Sequence, residues 1–217
     1  SLQEYLISVP GLFTQNANNY AQDLRISLRG FGARAAFGIR GIKIIVDGIP
    51  ETTPDGQGQL DNLPLGMLKN FEVLRGPSAS LYGNASGGVI YLNTIDSLPD
   101  NQDIQFQYRF GDFGFKSYEI NTSLKGEKTV AMIHLNRNQT NGFRLNSGFE
   151  QNLLNTKVNH TFSSKSNLQL QLNYTNSPKA GDAGGITLEN TAIDWGQARQ
   201  RNIDYDTYES VNQFKTG

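Results

Sequence analysis

The sequence predicts a small α+β domain followed by the first strands of an antiparallel transmembrane β-barrel, with the change of character near residue 98. Three observations carry that reading. Up to residue 98, short apolar segments are separated by glycine- and proline-rich connections. Beyond it, long segments alternate between apolar and polar residues, and the turns joining them are short and long by turns. The expected division is 1–98 and 99–217.

Composition narrows the function classes. The 217 residues are 37% hydrophobic and 18% charged, with 23 Gly, 12 Phe and 9 Tyr, an odd balance for an ordinary globular domain. A formal net charge of -1 gives no reason to expect nucleic acid as a partner. With no Cys there is no disulfide framework, no cysteine zinc site and no thiol nucleophile. The opening "SLQEYLISVPG" lacks the basic start and apolar stretch of a secretory signal, as a trimmed product also would. No apolar run approaches the roughly 18 residues of a membrane-spanning helix. A barrel, whose strands alternate, passes that filter unseen.

In the first part, Ser1 and Glu4 have capping-box spacing, and Leu2, Tyr5, Leu6 and Val9 recur at helical intervals until Pro10 and Gly11. A helix is therefore expected at the start. Strands are expected at 25–28, 43–47, 71–74 and 89–93, joined by "RGFGARAAFGIRG" and "DGIPETTPDGQGQ".

In the second part, strands are expected at about 104–112, 116–125, 129–139, 153–163, 166–176 and from 207 onward. Ile104, Phe106, Tyr108 and Phe110 share one face, and Leu168, Leu170, Leu172 and Tyr174 repeat the design, with Gln and Asn opposite. Soluble strands run to about 5–6 residues, whereas tilted membrane strands need about 9–11. The connections are "DFG", "GEK", a loop over 140–152, "SSK" and a loop over 177–206. A soluble antiparallel sheet or solenoid with one solvated face is the alternative reading of the same periodicity.

The stretch "EVLRGPSASLYGNASGG" (72–88) has the look of a phosphate cradle or a nucleophile loop. It lacks the Gly-Lys-Ser/Thr ending of the first, and Ser78, Ser80 and Ser86 have no nearby His for the second. His134 and His160 have no ligand spacing, and Asp47, Asp55 and Asp61 do not fit a calcium loop. Asn84-Ala85-Ser86 and Asn121-Thr122-Ser123 match the glycosylation pattern, and no modification is expected from that match. No enzyme and no cofactor is expected.

Four separated stretches, "SLQEYLISVPGL", "ISLRGFGAR", "IKIIVDGIP" and "FEVLRGPSASLYGNASGGVIYLNT", resemble in that order the plug domain of TonB-dependent outer-membrane receptors. The residues from 104 resemble the start of the barrel that follows it. The resemblance implies a 22-stranded barrel enclosing the plug, so the 217 residues are expected to be part of a longer receptor, starting inside the plug without its energy-coupling box. It implies outer-membrane lipids around the barrel and the TonB-ExbB-ExbD complex as energy source. It also implies that Arg29 and Arg75 lock the plug to barrel glutamates. Gly30, Gly76, Gly87 and Gly88 then shape the backbone, and Pro77 starts a short helical turn.

For the nutrient, Arg34 and Arg40 offer cationic donors, Gln57 and Gln59 neutral donors, and Phe31 and Phe37 apolar walls. Guanidinium groups recognise carboxylate-rich chelates, so a ferric siderophore or ferric citrate is expected. "GFGARAAFGIRGIKIIVDGIPETTPDGQGQ" is similar to plugs of the ferric-citrate branch. Catecholate siderophores, cobalamin, haem and glycans are the other substrates. A non-transporting adhesion barrel, displaying the loops at 140–152 and 177–206 with Trp195, is the other class.

Overall fold

In the computed structural model the residues described are all except 1, 16–18, 36–37, 59, 61, 77–80, 84 and 101–102. Ser1, Phe37, Gln59, Asp61, Pro77, Ser78, Ser80 and Asn84 therefore lie outside the described residues. The chain divides into two units, Ser1–Asn18 with Gln22–Ile95, and Asn19–Ala21 with Asp96–Gly217.

The first unit opens with α1 (Leu2–Leu6), whose Leu6 is fully buried. Two short ladders follow: β1 (Leu12–Gln15) pairs antiparallel with β2 (Arg25–Leu28), and β3 (Ile39–Arg40) with β6 (Gln57–Gly58). The main sheet has the order β5-β4-β8-β7, built from β4 (Ile42–Val46), β5 (Ile49–Pro50), β7 (Leu68–Leu74) and β8 (Gly88–Thr94). Its central pair, β4 and β8, is parallel. Such a pair is usually covered on both faces, and here each face has its own apolar cluster. Ile42, Ile44, Val46, Ile90 and Leu92 join Leu6, Ile26 and Leu28 on one side. Ile45, Val89 and Ala85 pack with Leu74, Tyr82 and Tyr91 on the other.

Two turns fix the strand directions. Leu28 and Phe31 exchange both backbone hydrogen bonds at 3.0 Å around Arg29 (φ 51°) and Gly30 (φ 88°). Asp47 (φ 48°) and Gly48 (φ 86°) do the same work between β4 and β5. Two consecutive positive φ angles make the tight turn whose twist matches a hairpin. Asp47 thus leaves the strand expected at 43–47, because its left-handed backbone cannot continue a ladder. Its carboxylate instead accepts from the Thr94 backbone N–H (2.8 Å) and hydroxyl (2.5 Å), tying the turn to the end of β8.

The second unit is an antiparallel meander in the order β14-β13-β12-β11-β10-β9. Its strands are β9 (Ile104–Phe110), β10 (Lys116–Lys125), β11 (Thr129–Thr140), β12 (Phe149–Ser163), β13 (Ser166–Gly181) and β14 (Tyr208–Thr216). The loop expected over 140–152 shrinks to 141–148, since Phe149 and Glu150 already pair with Thr140 and Gln139. The loop expected over 177–206 becomes 182–207 and carries α2 (Leu188–Ile193) and α3 (Gln200–Asp204). Pro178, which has no N–H to donate, falls at the register shift between Ser177 and Ala180.

The sheet is apolar outside and polar within. Ile104, Phe106, Tyr108, Phe110, Leu124, Leu135, Leu168 and Leu170 are exposed, while Ser117, Glu119, Asn121, Ser123, His134, Asn155, Lys157 and Thr175 are buried. A chain of hydrogen bonds and close charged contacts crosses five strands on the polar face. Asn173 donates to Asn155 at 2.5 Å, Asn155 faces His134 Nδ1 at 3.1 Å, and His134 Nε2 lies 3.6 Å from Glu119, which Arg109 meets at 3.0 Å. With the Asn155 oxygen taken by Asn173, its NH2 donates to Nδ1, so the neutral ring carries its proton on Nε2, toward Glu119. His160 sits on the other face, bonded to Thr129 at 2.7 Å.

At one end of the sheet the strands are level, Phe110, Lys116, Gln139, Glu150 and Lys179 forming one row. At the other the lengths step from 7 through 10, 12 and 15 to 16 residues between β9 and β13. Asp96 anchors the connection between the units at this stepped end, meeting Lys157 at 2.8 Å and Asn159 at 2.9 Å.

Asp47→Ala removes two charge-assisted hydrogen bonds from the end of β8, an expected local loss of about 1.5–3 kcal/mol. Hydrogen exchange at Thr94 and Ile95 in the purified receptor measures it; unchanged protection there contradicts the assignment.

Candidate functional site

The two arginines expected to act as a lock converge on one turn. Arg75 Nη1 donates to the Pro10 carbonyl at 2.9 Å, across 65 residues of sequence. Arg29 donates its backbone N–H to Gly11 at 3.0 Å, and its side-chain stem passes 3.7 Å from where a Gly11 Cβ would stand. Both side chains are exposed, and Arg29 has no hydrogen bond or ion pair from its guanidinium among the described residues. Gly30 and Gly76 (φ 100°) occupy the left-handed backbone that glycine favours.

Gly87 and Gly88 are a joint where backbone meets backbone. A Cβ on Gly88 would stand 2.5 Å from the Leu74 carbonyl, and one on Gly87 would stand 2.7 Å from Phe31 Cβ. The Gly87 N–H donates to Gly41 at 2.7 Å, so its amide is spent on the neighbouring strand entrance. This is a packing requirement, and it explains the glycine pair without a phosphate.

Among the candidates for nutrient recognition, Arg40 and Gln57 are brought opposite each other in the β3–β6 ladder. Strand alternation buries Ile39 and Gly58 and turns Arg40 and Gln57 outward. The Gln57 NH2 donates to Asp55 at 2.7 Å, so one of its donors is already engaged. Arg34 lies exposed beyond Gly32, whose backbone runs so close to Ile26 that a Cβ would stand 2.7 Å from the Ile26 carbonyl. Neither Arg34 nor Arg40 has a hydrogen bond or ion pair from its guanidinium among the described residues. Phe31 is half exposed, with its Cβ against Gly87. Sequence reading passed over Asp55 as a site residue. Hydrogen bonds from the Thr53 hydroxyl first, and then from Gln57, hold its carboxyl below the usual value, so it remains an anion beside Gln57.

In the second unit the two long loops form one lobe. Arg144 Nε donates to the Gln197 carbonyl at 2.9 Å and Nη2 to Ala183 at 3.3 Å. The Asn146 NH2 lies within 3.2 Å of three carbonyls, those of Asp182, Asn202 and Thr207. Asn146 holds φ at 52°, which asparagine tolerates better than most residues. Arg144 is thereby used in folding the lobe. Nothing in "RLNSG" distinguishes it from an anion-binding arginine, because its partners are backbone carbonyls.

A mixed-sheet domain, followed in the chain by an open six-stranded antiparallel sheet with one apolar face, fits a plug domain and the first strands of an outer-membrane barrel. Residues 1–89 match the family model described as TonB-dependent Receptor Plug Domain. The match takes in nearly all of the first unit and marks that unit as a plug domain. It is 32% identical over 131 residues to a hemin receptor of Yersinia enterocolitica, covering 58% of this chain and 18% of that protein. It is 23% identical over 220 residues to the vitamin B12 transporter BtuB of Vibrio vulnificus (strain YJ016), covering 95% of this chain and 35% of the transporter. The unliganded ferric citrate transporter FecA shares the fold at a TM-score of 0.70 and 21% identity, over 90% of this chain and 31% of FecA. The chain thus spans between about a sixth and a third of the length of these proteins.

Since the Asp55 carboxyl is held low, the turn it organises is intact above the ordinary carboxylate range. It persists through that range as pH falls, and is lost only when pH drops through the lowered folded value. The Gln57 amide shift, followed by NMR against pH, is expected to titrate below the midpoint of an unperturbed Asp. A midpoint at or above the ordinary value contradicts the hydrogen-bonded turn.

Proposed function

We propose that the protein imports an anionic ferric chelate, a ferric siderophore or ferric citrate, across the outer membrane, driven by the TonB-ExbB-ExbD complex. The observation that carries this reading is the pair of outward-facing guanidinium groups, Arg34 and Arg40, neither with a hydrogen bond or ion pair among the described residues. They stand on a glycine-punctuated segment between two short ladders, where the backbone lets a ligand come close. The shared fold with the ferric citrate transporter FecA supports the chelate class. Asp55 works against indiscriminate anion capture, so the site favours an anion that reaches the arginines without contacting the carboxylate.

Haem is the second reading, supported by the 32% identity to a hemin receptor. Its propionates are also carboxylates, so the same arginines serve either ligand. Phe31, half exposed at the edge of the glycine joint, offers apolar surface that a porphyrin uses and citrate does not.

Calorimetry on the full-length receptor with ferric citrate, hemin and cyanocobalamin tests the class. Arg34→Gln or Arg40→Gln is expected to weaken the cognate anion by about 1.5–3 kcal/mol, about ten-fold to more than a hundred-fold. Unchanged affinity for every anionic ligand in both variants removes these residues from the site. Arg29→Ala and Arg75→Ala, by contrast, are expected to impair uptake while leaving affinity within a few-fold, and together to be less than additive. A large, equal loss of affinity in both contradicts the lock. Binding with no uptake argues for the display barrel, and uptake that survives loss of TonB contradicts the energy coupling.

A further inference from the structure

Residues Asn19–Ala21 belong to the second unit, although the chain on both sides of them belongs to the first. The excursion is held firmly. The Tyr20 ring stacks on Phe149 with centroids 4.3 Å apart and planes 10° from parallel. Asn19 donates its NH2 to Asp182 Oδ1 at 2.7 Å, while its own oxygen accepts from the Ala21 N–H at 3.0 Å. The tripeptide is thus a closed turn that offers one ring and one amide. The ring covers Phe149 with one face and leaves 45% of the residue exposed, while partial desolvation raises the Tyr20 hydroxyl above its usual value.

The two groups that hold it are structural hinges of the lobe. Phe149 is the first residue of β12, immediately after the loop 141–148. Asp182 follows β13 and closes the loop 182–207, its N–H donating to Thr207 at 2.9 Å and its carbonyl accepting from Asn146, Asn202 and Thr207. Its Oδ1 also accepts from Gly184, so one carboxylate serves both the loop and Asn19. A change in the loop that moves Asp182 alters the hold on Asn19. Only Gln22, Asp23 and Leu24 separate Ala21 from β2.

We propose that residues 19–21 are a strap that couples the conformation of the long-loop lobe to β2 of the plug. The lobe and strap are two halves of one folded cluster, so coupling runs equally in both directions. The proposal stands on the lobe geometry and not on the nutrient, and ligand-free receptor tests it.

Hydrogen exchange on the full-length receptor without ligand is the measurement. Phe149→Leu, which keeps the lobe's hydrogen bonds, and Asp182→Ala are each expected to speed exchange at 22–28 roughly five-fold, with 88–94 unchanged. Tyr20→Ala is expected to speed exchange at Asn202 and Thr207. Leu188→Ala, on an exposed helix residue of the same loop, is the control and should do neither. Unchanged exchange at 22–28 in both lobe variants, equal acceleration at 88–94, or the same effect from Leu188→Ala each overturns the strap.

Discussion

In lipid there is no water to satisfy a backbone N–H or C=O, and this requirement governs the second unit from one end to the other. Each interior strand gives its hydrogen bonds to two neighbours, so the side chains are left to serve two solvents at once. The consequence is an inverted protein: leucine and aromatic rings face outward, and Glu119, His134, Asn155 and Lys157 are buried. Those buried groups meet partners across strands, as in the run from Asn173 to Arg109, in which His134 Nε2 faces Glu119 at 3.6 Å without a hydrogen bond. A polar interior of this kind stabilises one register, since a slip of one residue would turn every amide toward hydrocarbon.

The plug obeys the opposite rule, with its apolar side chains inward and its irregular backbone held by left-handed turns and carbonyl contacts. Arg75 on Pro10 and Arg144 on Gln197 show how arginine is used in both units to hold loops by their backbone. The arginines thus differ in what they hold. Those that grip carbonyls fix the scaffold, Arg109 and Arg137 pair with glutamates across strands, and among the described residues the guanidinium groups of Arg29, Arg34 and Arg40 make neither contact.

Legibility in the sequence followed pattern length. The strands at 25–28 and 116–125 were readable to the residue because their alternation or apolar run has turn residues on both sides. The two-residue ladders β3 and β6 carry no period and were invisible, as was β1 beside Pro10 and Gly11. The loops were overestimated because Phe149, Glu150, Gln151 and Asn152 read as a polar stretch but pair as a strand. The positive φ at Arg29 was hidden, since arginine does not announce it, whereas Asp47-Gly48 is a favoured hairpin pair that the strand expected at 43–47 overran. For the site, residue types were legible and pairings were not. The engagement of Gln57 by Asp55, and the small cluster around Asn19 and Asp182, depend on contacts between distant or short-range groups that spacing does not encode.

The stepped end of the meander has a geometric meaning. Strands that are level at one end and lengthen from 7 to 16 residues toward the other reach progressively farther along the sheet. In a barrel wall the strands are inclined to the axis. Inclined at about 45°, a rise of about 3.4 Å per residue projects to about 2.4 Å along the membrane normal. The 10 residues of β10 then cross a hydrocarbon band of about 25 Å with nothing to spare. The 16 residues of β13 overshoot it by more than half. The excess lies in water beyond the band, so the longer strands present backbone and side chains past the margin where their shorter neighbours stop.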